Sequence, residues 1–126
     1  MSMRHILHVD DEPDIREVVE LSLGLDRDFT VRSCPSGKDG LVEAAEFPPD
    51  LILLDVMMPG MDGPTTLARL RENSTTAGIP VVFMTARAQS REIETFLSLG
   101  AVGVIPKPFD PMMLAGLVRQ YMPASY

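Results

Sequence analysis

The sequence predicts an α/β domain built on a doubly wound, five-stranded parallel sheet. Short apolar runs rich in Val, Ile and Leu alternate five times with longer stretches at helical spacing, the pattern of repeated βαβ units. The run Leu51-Ile52-Leu53-Leu54 is continuously apolar, as a buried strand is. Asp10-Asp11, Asp55, Thr85 and Lys107 stand where four of these runs end, and strand ends are where open α/β sheets build their sites.

Residues 6–9 (Ile-Leu-His-Val) form the first predicted strand. Pro13 suits a first helical turn, and Ile15, Val18, Val19 and Ser22 follow on one helical face. Residues 29–33 alternate as a second strand ended by Pro35; Ser36 caps a second helix with Leu41, Ala44 and Ala45 inward, stopped by Pro48-Pro49. Residues 51–54 are the third strand, followed by the turn-rich loop Met58-Pro59-Gly60-Met61-Asp62-Gly63. A third helix begins near Pro64 and carries Leu67 and Leu70. Residues 81–84 are the fourth strand, and Ile93, Phe96 and Leu97 mark a fourth helix ended by Gly100. Residues 102–105 are the fifth strand. Asp110-Pro111 reads as a cap and first-turn proline for a last helix striped by Met113, Leu114, Leu117, Val118 and Tyr121. Pro106 lacks a ladder N–H and favours an edge or a strand end, which suits the strand order 2-1-3-4-5.

At 126 residues the chain, 1–126, is expected to be one domain. Its 45% hydrophobic residues supply a core without staples. A net charge of −7 argues against direct nucleic-acid binding, which needs a basic patch. The one cysteine, Cys34, excludes an internal disulfide and reads as a small buried core residue. His5 and His8 lie in or beside the first strand without a relay partner and read as structural. Of the adjacent pair Met112 and Met113, one is expected at the surface. Residues 1–5 lack a signal-peptide apolar stretch, and no run approaches the roughly 20 residues of a membrane span, so a cytoplasmic location and no membrane partner are expected. The sequence leaves no room for an output domain after Tyr126, which fits a stand-alone regulator or a piece of a longer chain.

Taken singly, an Asp at a strand end is most often a cap, Thr85 an ST-turn and Lys107 a surface lysine. Convergence on one sheet edge reverses that. Asp10, Asp11 and Asp55 sum to −3, Lys107 brings the site to −2, and one Mg²⁺ would neutralise it. Magnesium prefers one or two carboxylates with several retained waters, a demand Asp11 and Asp55 meet directly with Asp10 acting through water. A phosphorylatable carboxylate needs such a cation, an exposed nucleophile and further donors for the phosphoryl oxygens. Thr85 and Lys107 are those donors.

Val9-Asp10-Asp11-Glu12, the segment Leu54-Asp55-Val56-Met57-Met58-Pro59-Gly60-Met61-Asp62-Gly63, Met84-Thr85-Ala86 and Lys107-Pro108-Phe109 together resemble the receiver domain of two-component response regulators, across essentially the whole chain. The resemblance implies the flavodoxin-like (βα)5 fold and a phosphoryl switch. It implies that Asp55 accepts a phosphoryl group from a partner histidine kinase or phosphotransfer protein. Mg²⁺ would be held by Asp10, Asp11, Asp55 and the backbone carbonyl of Met57. Thr85 would swing toward the phosphoryl group, Lys107 would contact one of its oxygens, and the Lys107–Pro108 peptide would be cis. Output would pass to a partner through the surface of the fourth helix, fifth strand and fifth helix. Val104 departs from the pattern, because the family usually places Tyr or Phe there; output is therefore expected through the loop 85–90 and the fourth helix. Met57 and Arg87 stand at two positions the family varies. A thioether cannot orient an attacking water and Arg87 can cover the phosphoryl group, so a long-lived phosphoryl state is expected.

Two rival classes remain open to the sequence. A phospho-independent interaction domain would keep the fold and signal by docking alone; the intact acidic set disfavours it. A hydrolase working through an aspartyl phosphate usually needs a second acid two residues after the nucleophile, where this chain has Met57.

Overall fold

A computed structural model describes residues 3–123; Met1, Ser2 and the C-terminal segment ending at Tyr126, on which part of the reading of the termini rested, lie outside it. The elements alternate throughout: β1 (Arg4–Val9), α1 (Pro13–Gly24), β2 (Phe29–Cys34), α2 (Gly37–Glu46), β3 (Leu51–Asp55), α3 (Gly63–Glu72), β4 (Val81–Thr85), α4 (Ser90–Ser98), β5 (Gly103–Pro106) and α5 (Leu114–Tyr121). All neighbouring strands pair in parallel, in the order β2-β1-β3-β4-β5. The doubly wound sheet and the edge position of β5 are as the sequence predicts.

Strand alternation sorts the core into two layers. Leu7, Val9, Ile52, Leu54, Val81 and Phe83 project to the side of α2, α3 and α4, where they meet Ala44, Leu67, Leu70 and Phe96. Ile6, Leu51, Leu53, Val82, Met84 and Ile105 project to the other, against Val19 and Leu23 of α1 and Leu114 and Val118 of α5. With helices on both faces, every residue of β3 and β4 is buried, which is why their sequences are apolar without alternation.

Local chemistry sets the helix starts. Pro13 occupies the first turn of α1. Ser36 accepts from the Asp39 N–H at the start of α2, and Asp62 accepts from the Thr65 N–H at the start of α3. Gly63 is needed because a Cβ there would lie 2.4 Å from the Asp55 carbonyl oxygen. That close approach brings α3 directly under the end of β3.

The helix faces are refined, and two expectations about the last helix are corrected. Leu97 is half exposed, and Phe96 is the buried residue of α4; the helix leans on the short β5 and buries a narrow stripe. Asp110 caps a turn, not the helix: its Oδ1 accepts from the Met112 N–H and its carbonyl from the Met113 N–H, so α5 begins at Leu114. Met112 and Met113 consequently both lie at the surface, and Met113 is not part of the inward stripe. In α1, Ser22 is half-buried and its hydroxyl donates to the Val18 carbonyl, while Leu23 fills the core beside Val19.

Candidate functional site

Parallel strands all end on one side of the sheet, and this collects the site. Asp10 and Asp11 follow β1, Asp55 is the last residue of β3, Thr85 the last of β4, and Lys107 follows β5. The sequence places these residues far apart; the topology brings β1 and β3 together as direct neighbours.

The carboxylates of Asp10, Asp11 and Asp55 each offer an oxygen within 4.8 Å of the others. Lys107 Nζ bridges two of them, donating to Asp10 Oδ2 at 2.9 Å and to Asp55 Oδ1 at 3.0 Å. Asp10 is fully buried and tied down on all sides. Its Oδ1 accepts from the Glu12 N–H (2.9 Å), its carbonyl accepts from Arg16 Nη1 (2.8 Å), and its own N–H donates to the Cys34 carbonyl (3.0 Å). Asp11 is half-buried.

Burial, joined by the charges of Asp10 and Asp11, raises the Asp55 carboxyl above its ordinary range despite the opposing Lys107 hydrogen bond. Burial works against the charged form of Lys107 too, yet its bonds to Asp10 and Asp55 win and its pKa is raised. The site thus holds a cation firmly while crowding its anions. Three hard oxygen donors with an uncompensated negative charge are the chemistry that a small divalent cation satisfies.

Thr85 is buried beside this group, and its Oγ1 accepts from the Arg87 N–H at 2.9 Å. The ST-turn that a lone threonine suggests is therefore real in this state, and the hydroxyl is not on the carboxylates. The Met57 side chain is exposed, and with Val56, Thr85, Arg87 and Arg91 it lines a cavity of about 390 Å³ between β4 and α4. Val104 is partly buried against the layer that holds Phe83. The Lys107–Pro108 peptide is cis.

Sequence reasoning missed two neighbours of Asp10. Arg16 stands one turn into α1, and an arginine six residues after an acid was the available signal. His8 is fully buried with Nε2 3.7 Å from Asp10 Oδ2; burial above all, with Lys107 and Arg16 adding to it against the pull of Asp10, lowers its pKa to about 4. His8 is structural in the sense of being buried, but it is not remote from the site. His5, half-buried, pairs through Nδ1 with the Thr30 hydroxyl at the opposite end of the sheet.

An open parallel sheet with a carboxylate cluster and a bridging lysine at its strand exits defines a class of signalling domain, and the comparisons agree. The family model described as the response regulator receiver domain matches residues 6–119. The chain belongs to this family: it is a receiver domain of two-component response regulators. It is 40% identical to the transcriptional regulatory protein CseB of Streptomyces coelicolor over 91% of this chain and 47% of that protein. It is 42% identical to the response regulator PleD of Caulobacter vibrioides over 94% of this chain and 26% of that one. The chain thus spans about half or less of these curated relatives. Among solved structures, the chemotaxis protein CheY4 of Vibrio cholerae superposes with a TM-score of 0.88 at 28% identity, covering 96% of this chain and all of that one. Among the described residues, no helix is long and apolar enough to cross a membrane.

Proposed function

We propose that residues 1–126 act as one phosphoryl switch, in which Asp55 takes a phosphoryl group from a phosphohistidine of a histidine kinase or phosphotransfer protein. The observation that carries this reading is the Lys107 bridge between Asp10 and Asp55 inside a cluster of three carboxylates. Asp55 is held by the strand behind it and by the Lys107 bond at Oδ1, leaving its other oxygen as nucleophile. That oxygen forms a new O–P bond as the N–P bond of the donor breaks, and the leaving imidazole nitrogen takes up a proton. Little else is needed from the protein beyond positioning and charge stabilisation.

Asp11, Asp55 and the Met57 carbonyl would hold Mg²⁺, with Asp10 behind them. Bound there, the ion would supply positive charge against the oxygens of the transferring group. Lys107 would donate to one phosphoryl oxygen. Thr85 would release the Arg87 N–H to donate to another, which frees the loop 85–90 and α4. Because Val104 has no ring to exchange between exposed and buried positions, that loop and helix would carry the signal to an output partner at the α4–β5–α5 face. Met57 offers no hydrogen bond to an attacking water, and Arg87 beside it covers the phosphoryl position, which favours a long-lived modified state.

Incubation with acetyl phosphate tests the reading. Wild-type protein is expected to gain one phosphoryl group, only when Mg²⁺ is present, and Asp55→Asn to gain none. Equal labelling of Asp55→Asn, or none of the wild type, would overturn it.

A further inference from the structure

β1 and β2 run in register with His8 opposite Ser33, so the two side chains project side by side. Both ring nitrogens of His8 and the Oγ of Ser33 are buried without a hydrogen-bond partner among the described residues. Unpaired buried polar atoms are costly and rare, and a branched aliphatic would fill the same space in a strand without that cost. The nearest identified charge is Asp10 Oδ2, 3.7 Å from His8 Nε2, just outside hydrogen-bond reach. The same oxygen is held by Lys107 Nζ at 2.9 Å. Two nitrogens therefore face one carboxylate oxygen, Lys107 Nζ engaged and His8 Nε2 standing off.

Lys107 also serves Asp55. A phosphoryl group on Asp55 adds negative charge and acceptor oxygens there, drawing the ammonium away from Asp10. Asp10 is fully buried and has no solvent to replace it. We propose that His8 is a positioning residue for Asp10, whose Nε2–H closes onto Oδ2 as Lys107 turns to the phosphoryl group. Ser33 stands opposite His8 in the ladder, and its Oγ–H would donate to Nδ1 as the ring turns, fixing the ring proton on Nε2. Asp10 then keeps its orientation throughout the switch. The inference rests on the phosphoacceptor reading of Asp55.

Imidazole ¹H–¹⁵N NMR and binding of beryllofluoride with Mg²⁺ test it together. In Lys107→Met without any phosphoryl mimic, the His8 Nε2–H signal is expected to move downfield and resist solvent exchange. Wild type is expected to show the same change when beryllofluoride binds. His8→Leu should weaken beryllofluoride binding about tenfold, the scale of a lost hydrogen bond to a charged group. His8→Gln, which keeps a donor, should recover most of it, with thermal melts confirming that both variants fold. An unmoved His8 signal in Lys107→Met, or wild-type affinity in His8→Leu, overturns the proposal. Failure of the wild type to bind beryllofluoride would instead count against the phosphoacceptor reading, and the Lys107→Met spectrum would still decide the role of His8.

Discussion

Cys34 closes β2 almost out of reach of solvent, and burial, followed by the charges of Glu43 and Asp39, pushes its thiol up to about 11 against the opposing Arg16 and Arg32. The folded thiol binds its proton more tightly than the unfolded one. Its contribution to stability is therefore complete below 9.0 and lost as pH rises toward 11. At pH 8 alkylation by iodoacetamide should be about a hundredfold slower than in the unfolded chain on thiolate fraction alone, and Cys34→Ala should flatten the alkaline loss of stability. Alkylation at the unfolded rate would refute this. Cys34 was legible in the sequence because a free thiol packs as a small hydrophobe, and the site acids because their charge conflicts with their apolar neighbours. His8 was not, since a strand position says nothing about which residues the adjoining strands set beside it.

Elements were legible where periodicity met a clear stop and blurred where one signal serves two structures. Pro48-Pro49 and Gly100 end α2 and α4 as read, with Gly100 at φ 109° where a side chain would be strained. Asp-Pro at 110–111 fits a helix cap and a turn equally well, and the turn won. The α5–β5 contact holds a constraint that pattern alone does not reveal: a Cβ on Gly103 would sit 2.1 Å from the Tyr121 ring. Gly103→Ala should cost about 1–3 kcal/mol in denaturant unfolding, the range for overpacking. In a Tyr121→Leu background the same change should cost much less. Equal costs in both backgrounds would show that the ring is not what excludes the methyl.

For the whole molecule, three carboxylates facing one lysine leave −2 of the net charge of −7 at one sheet edge. A divalent cation that binds only the folded chain at a hundredfold excess over its Kd adds about 2.7 kcal/mol. Mg²⁺ should accordingly raise Tm by roughly 10 °C over a chelated sample. Asp11→Ala should lose most of that rise; an unchanged rise would place the ion elsewhere. The overall fold was readable because five short β-rich runs alternate with helical stretches, and Pro106 pointed to the strand order. That proline has a further consequence. β5 lies at the sheet margin, is four residues long and ends in a residue with no N–H to offer, while the Tyr121 ring packs over Gly103 at its start. A strand from another molecule finds few groups there to zip onto. In a crowded cell, this margin is a poor seed for aggregation.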